Sequence, residues 1–343
     1  MNITQEQVEY LRKQHIQFGL PCYGGMLYES VATSLIKFAI YAQKLGMNFS
    51  LDTMINESLV QRARNHLVAK FLENGAATHL MFIDSDIGFE PEHIFKLLLH
   101  NKDIVGGLYP KKTIPPDYVV NVSPEAVGEN GHVNVTDGLL PVSRLGTGFM
   151  MIKREVFEKH MVAYPNTKFT NNIGLDPKYN PFCYTFFDCW ISQDENREYL
   201  SEDWGFIVKS RVIGIQVYAD PTIRLNHSGT FLFPGDPTNL YNSMGLKVEN
   251  NPQLVPRIAV RKDEIIDDSA RLAVQPDTVA LAQYILKKEA ETATKLAEEY
   301  KAKAEAAQKS LTETQAAIEP ASKPVVEPIV VKKLQAHGSK KKD

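Results

Sequence analysis

The chain has 343 residues, 43% of them hydrophobic, and its 38 Lys and Arg against 41 Asp and Glu leave a formal net charge of -3. At roughly 150 residues per domain, this length predicts two domains or one large α/β domain with extensions. The near balance of charge gives no reason to expect a nucleic-acid or membrane-surface binder. The three cysteines, Cys22, Cys183 and Cys189, are too few for a disulfide framework, lack zinc-site spacing and favour a reducing compartment.

The chain shows no targeting or membrane-spanning pattern. Its first residues lack the basic and apolar regions of a signal peptide, and no run approaches the roughly 18 apolar residues of a spanning helix. We therefore expect a cytoplasmic protein without a transmembrane segment.

Strand-like and helix-like segments alternate through the first third of the chain. The predicted elements are strands over Ile16–Pro21, Met47–Met54, His79–Ile83 and Ile104–Tyr109, and helices over Glu29–Leu45, up to Glu73, and from Pro91 to Leu99. Gly46 stands where a helix C-terminal cap is expected, and Asn56 or Ser58 is the expected N-cap of the second helix. This order predicts a doubly wound α/β sheet, which binds ligands at the carboxyl ends of its strands.

Composition changes toward the C terminus. From Lys287 onward, 12 Lys and 9 Asp or Glu give a charge of +3. The expected division is a main α/β domain over 1–250, a connecting segment over 251–286 and a tail over 287–343. Residues 280–315, rich in Ala, Glu and Lys, favour a solvated helix, and residues 320–343 favour disorder. The tail is either a flexible extension or a helix that binds a partner or oligomerises.

Two carboxylates, Asp84 and Asp86, follow a strongly apolar strand one residue apart. Residues i and i+2 near a strand end point to the same side. Two like charges there are costly unless a cation or hydrogen-bond donors compensate them. Mg²⁺ or Mn²⁺ is the natural cation because both prefer oxygen ligands. The alternative is that Asp86 only stabilises the N-terminus of the helix that begins near Pro91.

A second acidic pair, Glu202 and Asp203, stands beside Trp204 where a helix-like stretch begins. A carboxylate there suits a general base, and the aromatic ring suits a surface for a sugar ring. The alternative is an ordinary helix N-terminus with favourable acidic residues in its first turn. Further along, His227 follows another strand candidate. A neutral imidazole completes a metal site begun by carboxylates, although a lone loop histidine is otherwise a surface residue.

In their order along the chain, these signals resemble the GT-A fold glycosyltransferases over about residues 15–235. The resemblance implies a Rossmann-like mixed sheet with helices on both faces and a nucleotide-sugar donor, with a UDP- or GDP-sugar expected. It also implies that Asp84, Asp86 and His227 form the site for Mn²⁺ or Mg²⁺ on the donor diphosphate, with Asp84 contacting the ribose or reaching the metal through water. One departure is the second strand, which reads Leu51-Asp52-Thr53-Met54-Ile55 where many inverting members have Asp-Asp-Gly-Ser.

The same resemblance implies roles at the acceptor. Asp203 is the expected base of an inverting transfer, Glu202 orients it or binds the acceptor, and Trp204 contacts the acceptor. That acceptor is a glycan, a protein or another hydroxyl compound. A retaining transferase of the same fold, a nucleotidyltransferase and a non-catalytic sugar-binding or structural protein are the alternatives. The absence of Lys or Arg near Gly24 and Gly25 disfavours the nucleotidyltransferase.

Eight residues are expected at the nucleotide-sugar: Pro21, Cys22, Tyr23, Arg62, Asn65, Asp84, Ser85 and Gly148. Arg62 and Asn65 are i, i+3 neighbours on one helix face, which is otherwise a solvated face. Gly148 belongs to a glycine-containing strand in which missing side chains let the backbone approach the donor sugar.

Overall fold

A computed structural model gives the structure of the protein. It describes residues 3–114, 117–118, 120–128, 133–135, 137–230, 232–235 and 268–318. The chain divides into two compact units, Met1–Tyr284 and Ile285–Asp343. Over the described residues, none of the helices combines the length and apolarity needed to cross a membrane.

Seven α-helices are described. They are α1 (Gln5–Arg12), α2 (Glu29–Leu45), α3 (Val60–Glu73), α4 (Pro91–His100), α5 (Arg154–Ala163), α6 (Glu202–Val212) and α7 (Thr278–Ile318). Residue Gly46 ends α2 with a left-handed φ of 72°, as the sequence predicts. The predicted caps of α3 are wrong: its N-cap is Leu59, which makes no side-chain capping bond. The chain turns at Asn56, whose φ is 57°, and the Glu57 carboxylate accepts a hydrogen bond from the Leu59 N–H at 3.0 Å.

The strands of the described residues form one large sheet and two small ones. They are β1 (His15–Cys22), β2 (Asn48–Ile55), β3 (His79–Ile83), β4 (Ile87–Gly88), β5 (Ile104–Gly107), β6 (Val120–Val122), β7 (Leu140–Leu145), β8 (Phe149–Lys153), β9 (Trp190–Ile191), β10 (Tyr199–Leu200), β11 (Val217–Asp220), β12 (Asn226–Ser228) and β13 (Leu232–Pro234). The large sheet has the order β2-β1-β3-β8-β5-β11-β7-β6, and β13-β12-β4 form a separate sheet. Strand β8 runs antiparallel between β3 and β5. The carboxyl ends of β1, β3, β5 and β11 therefore share one edge.

Alternation along β3 shows that helices cover both faces of this sheet. Leu80 and Phe82 are buried in one cluster with apolar residues of α3, α5 and α6. Met81 and Ile83 are buried in the other cluster with residues of α1, α2 and α4. Successive side chains of a strand point to opposite faces, so β3 is fully covered. The expected Rossmann-like mixed α/β sheet with helices on both faces is confirmed, and it is the fold class that the GT-A resemblance implies.

Helix α7 contains the predicted Ala/Glu/Lys-rich helix. The predicted disordered end, 320–343, and residues 251–267 of the predicted connecting segment lie outside the described residues. Part of that segment belongs to the first unit, where the buried Arg271 pairs with Asp194 at 3.0 Å. The indole N–H of Trp190 also donates to the Arg271 carbonyl at 2.9 Å.

Candidate active site

A cleft of about 250 Å³ opens at the carboxyl ends of β1 and β3. Its position is that expected for ligands of an α/β sheet. Five of the eight residues predicted to bind the donor line it: Pro21, Cys22, Tyr23, Asp84 and Ser85. Asp86 and the unpredicted residues Glu57 and Arg64 also line it.

Arg64 joins the two acidic motifs. Its Nη2 donates to Asp84 Oδ1 at 2.9 Å, and its Nε donates to Glu202 Oε1 at 3.3 Å. The Arg64 side chain is only 4% exposed. Burial alone lowers the pKa of a guanidinium, but the charges of Asp84 and Glu202 outweigh burial and raise the pKa of Arg64. One buried cation therefore links the end of β3 to the start of α6.

The position of Arg64 follows from the amphipathic pattern of α3. Arg64 precedes Leu67 by three residues and Phe71 by seven, so it lies on the buried face of the helix. A charge on that face is rarely buried without a partner. A charged residue on the apolar face of a helix is therefore the sequence signal that could have identified Arg64. The i, i+3 spacing of Arg62 and Asn65 directed the prediction to those two residues instead.

The structure does not bring Arg62 and Asn65 to the cleft wall. Arg62 pairs with Glu57 through two bonds of 2.6 and 2.8 Å. Asn65 is buried, and its amide donates to the Phe187 carbonyl at 2.8 Å while accepting from the Phe187 N–H at 2.9 Å. Asn65 thus ties α3 to a neighbouring segment, and Arg62 acts on the cleft through Glu57.

Asp86 and His227 approach each other because β4 and β12 pair. The register sets Ile87 opposite His227, and the Ser228 N–H donates to the Asp86 carbonyl at 2.8 Å. Asp86 Oδ2 lies 3.4 Å from His227 Nε2 and 2.6 Å from Lys112 Nζ. Burial alone raises the pKa of Asp86, but hydrogen bonds from His227 and Lys112 outweigh it and lower that pKa.

His227 is oriented as a metal ligand is. Its Nδ1 lies 2.8 Å from the Pro110 carbonyl oxygen, which only accepts hydrogen bonds. Nδ1 therefore carries a proton, and Nε2 is the nitrogen that faces Asp86 Oδ2 and that a neutral imidazole would offer to an ion held by Asp86. A carboxylate and an imidazole suit Mn²⁺ or Mg²⁺ when phosphate oxygens complete the coordination.

The predicted third ligand, Asp84, is engaged elsewhere, since its Oδ1 binds Arg64. Within the described part of the chain, no group of three or more His, Cys, Asp or Glu side chains is placed to hold a metal ion. Of the three predicted metal ligands, the structure brings Asp86 and His227 together.

Asp203 lies in the first turn of α6, beside Glu202. Its Oδ1 accepts hydrogen bonds from the Ser201 hydroxyl and, at 2.8 Å, from the Trp204 N–H. Burial, and then the charge of Glu202, raises the pKa of Asp203 despite these bonds. A raised pKa makes this carboxylate a stronger base.

Tyr109 lies between the two acidic motifs. The Gly148 N–H donates to its hydroxyl at 3.1 Å, and burial followed by the charges of Asp84 and Asp203 raises the pKa of Tyr109. A Cβ on Gly148 would lie 2.8 Å from Tyr109 Cζ and 2.9 Å from Asp84 Oδ2. Glycine is thus required here so that β8 can approach the end of β3.

The ring of Trp204 already has one cationic neighbour. The guanidinium carbon of Arg144 lies 4.2 Å from its centroid, within the range of a cation–π interaction. Arg144 is held in turn by Glu198 at 2.6 Å. The predicted acceptor-binding residue therefore stands beside a positive charge at the start of α6.

No family model and no curated protein matches the chain. It is similar to the crystal structure of A197 from STIV, at 18% identity and a TM-score of 0.37 over 72% of this chain and 95% of that one. It is also similar to GalNAc-T7, solved with UDP, GalNAc and Mn²⁺, at 9% identity and a TM-score of 0.37 over 64% of this chain and 44% of that one. A third is a glycosyltransferase involved in the glycosylation of the major capsid of PBCV-1, at 11% identity and a TM-score of 0.25 over 42% of this chain and 62% of that one.

The chain thus spans less than two thirds of the second and third of these structures. At such identities and TM-scores the likeness defines no family for the chain. Its function is inferred from its own side chains.

Proposed function

We propose that the chain is a GT-A-type glycosyltransferase that moves a sugar from a nucleotide-sugar to a hydroxyl acceptor. The observation that carries this proposal is the bridge made by Arg64 between Asp84 in the cleft and Glu202 beside the buried Asp203. A cleft at the strand ends and a carboxylate of raised pKa stand within one connected network. A glycosyl transfer needs both, because a leaving group and an attacking hydroxyl must meet at one carbon.

The donor half of the site is the cleft. In this proposal Pro21, Cys22 and Tyr23 receive the base and ribose of a UDP- or GDP-sugar, with Asp84 and Ser85 at the strand end. The backbone of Gly148, whose carbonyl accepts a hydrogen bond from the Asp84 N–H at 3.0 Å, would lie beside the sugar. Asp86 and His227 would hold Mn²⁺ or Mg²⁺ on the diphosphate, where a divalent cation supplies Lewis-acid stabilisation of the charge that grows on the leaving group.

The acceptor half is the first turn of α6. Asp203 takes the proton of the acceptor hydroxyl as its oxygen attacks the anomeric carbon and the bond to the diphosphate breaks. Attack from the face opposite the leaving group inverts the anomeric centre. Glu202, fixed by Arg64, raises the pKa of Asp203 and so strengthens the base. Trp204 offers an aromatic surface for the acceptor, be it a glycan, a protein or another hydroxyl compound.

A retaining transferase of the same fold is the competing mechanism, in which Glu202 and Asp203 only bind the acceptor. The anomeric configuration of the product, measured by NMR, separates the two. The cytoplasmic location and the partner-binding or oligomerising role of the tail stay predictions.

The test of the function is calorimetric titration with a panel of nucleotide-sugars in the presence of Mn²⁺, scored also for hydrolysis. We expect one member to bind and to be split slowly into sugar and nucleoside diphosphate. Asp86→Asn should lose that binding, whereas Asp137→Asn, which alters an exposed carboxylate paired with Lys102, should retain it. Absence of binding across the panel would contradict the proposal and favour a non-catalytic sugar-binding or structural protein.

A further inference from the structure

Each carboxylate that follows β3 already has a cationic partner from the chain. Asp84 pairs with Arg64 at 2.9 Å, and Asp86 pairs with Lys112 at 2.6 Å. The two partners differ in exposure, since the side chain of Arg64 is 4% exposed and that of Lys112 is 39% exposed. The sequence suggested an external cation because paired carboxylates are costly, yet the chain supplies that compensation itself.

We propose that Lys112 occupies the divalent-cation position on Asp86 until a nucleoside diphosphate draws its ammonium away. Lysine and metal ion are then alternative partners of one carboxylate, and the nucleotide and the ion bind cooperatively. This inference rests on the proposed function, because it assigns a role to the same site.

Lys112 and a metal ion exclude each other because both need the same carboxylate oxygen of Asp86. Lys112 Nζ and His227 Nε2 both approach Asp86 Oδ2, at 2.6 and 3.4 Å. An ion held by Asp86 and His227 would therefore sit beside the ammonium. Lysine has three donors and no acceptor, so it cannot become a ligand and only repels a dication.

The aliphatic stem of Lys112 packs against Gly229, where a side chain is missing. A Cβ on Gly229 would lie 3.2 Å from Lys112 Cδ, 3.6 Å from its Cε and 3.2 Å from Phe233 Cε2. The missing side chain at Gly229 thus leaves space for the lysine methylenes. Pro110 lies two residues before Lys112, and its carbonyl orients the His227 ring. One short segment after β5 therefore sets both the ligand and its competitor.

A diphosphate changes the balance between the two occupants. Its oxygens offer the ammonium a new anionic partner and add ligands for the ion. Because Lys112 is more than one third exposed on a lysine's flexible stem, moving it costs little. Nucleotide must then tighten ion binding, and by linkage the ion must tighten nucleotide binding by the same factor.

The experiment measures Mn²⁺ binding to the full chain without nucleotide, by electron paramagnetic resonance of the free ion. Lys112→Met should bind Mn²⁺ about fivefold more tightly than wild type or better, since it removes one ion pair and one repulsion. Lys111→Met is the matched control, because Lys111 is the adjacent lysine and pairs with Asp117 at 2.5 Å. It removes the same charge and should leave Mn²⁺ affinity near that of wild type. Lys112→Arg, which keeps a cation, should also show no gain.

Adding UDP or GDP extends the same measurement. The nucleotide that binds should raise the Mn²⁺ affinity of wild type by a larger factor than that of Lys112→Met, in which the competitor is already absent. Equal affinity of Lys112→Met and wild type, an equal gain in Lys111→Met, or no Mn²⁺ binding by any variant would overturn the inference. The nucleotide-free titration does not depend on sugar transfer, so failure of the proposed function would show separately, as a panel without any bound nucleotide-sugar.

Discussion

Asp84 and Asp86 stand two residues apart at the end of one strand, yet their surroundings differ in kind. Asp84 belongs to the inner half of the site, which we define as Arg64, Asp84, Glu202 and Asp203. Asp86 belongs to the outer half, which we define as Asp86, Lys112 and His227. In the inner half the cation is a buried arginine on a helix, and in the outer half it is a partly exposed lysine on a loop.

The difference teaches how one strand end can support two tasks. Separating a buried guanidinium from its two carboxylates would leave buried charges unpaired, which costs several kcal/mol. The inner half therefore keeps its geometry before substrate arrives. An exposed ammonium exchanges partners at little cost, so the outer half can accept an ion and a diphosphate. The residues that position the base are thus separate from the residues that exchange ionic partners when the donor binds.

The largest effect should come from the base in the inner half. Asp203→Asn should lower kcat by about 10²- to 10⁴-fold, because the amide cannot accept the acceptor's proton. Donor binding, measured by calorimetry, should be unchanged since the donor lies in the cleft. Full transfer activity in this variant would contradict the role of Asp203 and favour the retaining mechanism.

Removal of the inner cation should be the next largest effect. Arg64→Met leaves two carboxylates without their shared partner, and we expect a loss of about 3 kcal/mol in the free energy of unfolding measured in urea. The control is Lys37→Met, whose ion pair with Glu90 is exposed on both sides and should contribute little.

Adding Asp84→Asn to Arg64→Met should recover part of the loss, because one of the two stranded charges is then removed. An unchanged free energy of unfolding in Arg64→Met would show that the inner half is as exchangeable as the outer half.

The smallest effect concerns the pH dependence of the base. The pKa of Asp203 is raised by burial and by Glu202, whereas the Ser201 hydroxyl lowers it. The carboxylate must be charged to act, so activity falls as the pH drops through this pKa. Ser201→Ala removes a bond to the charged form, raises the pKa further and should move the acid limb of kcat/KM to higher pH. A limb that stays in place or moves to lower pH would contradict this assignment.

Periodic parts of the fold follow from the sequence. The pattern of α2 and its glycine stop predict the helix to its last residue, and the apolar run of β3 predicts a covered strand with carboxylates at its end. These features depend on neighbours along the chain, which a pattern records.

The partners of the carboxylates depend on contacts distant in sequence. Arg64 reaches Glu202 across 138 residues, and Lys112 reaches Asp86 across 26. Arg64 was open to prediction, because a charge on the apolar face of α3 needs a buried partner. Lys112 follows no periodic element, and its role arises only when β12 brings His227 and Gly229 alongside. The sequence predicts Tyr109 only as the last residue of a strand. Its position between Asp84 and Asp203 is seen only in the structure, where Gly148 contacts it.

The account's central claim is that donor and ion meet in this cleft, at Asp86 and His227. The most direct measurement is anomalous X-ray diffraction from crystals of the protein grown with Mn²⁺ and the nucleoside diphosphate that binds best. The account predicts a manganese peak between Asp86 and His227, with the nucleotide along Pro21–Tyr23 and Lys112 turned to a phosphate. A nucleotide outside the cleft, or a peak away from Asp86 while Lys112 still holds it, would contradict the account.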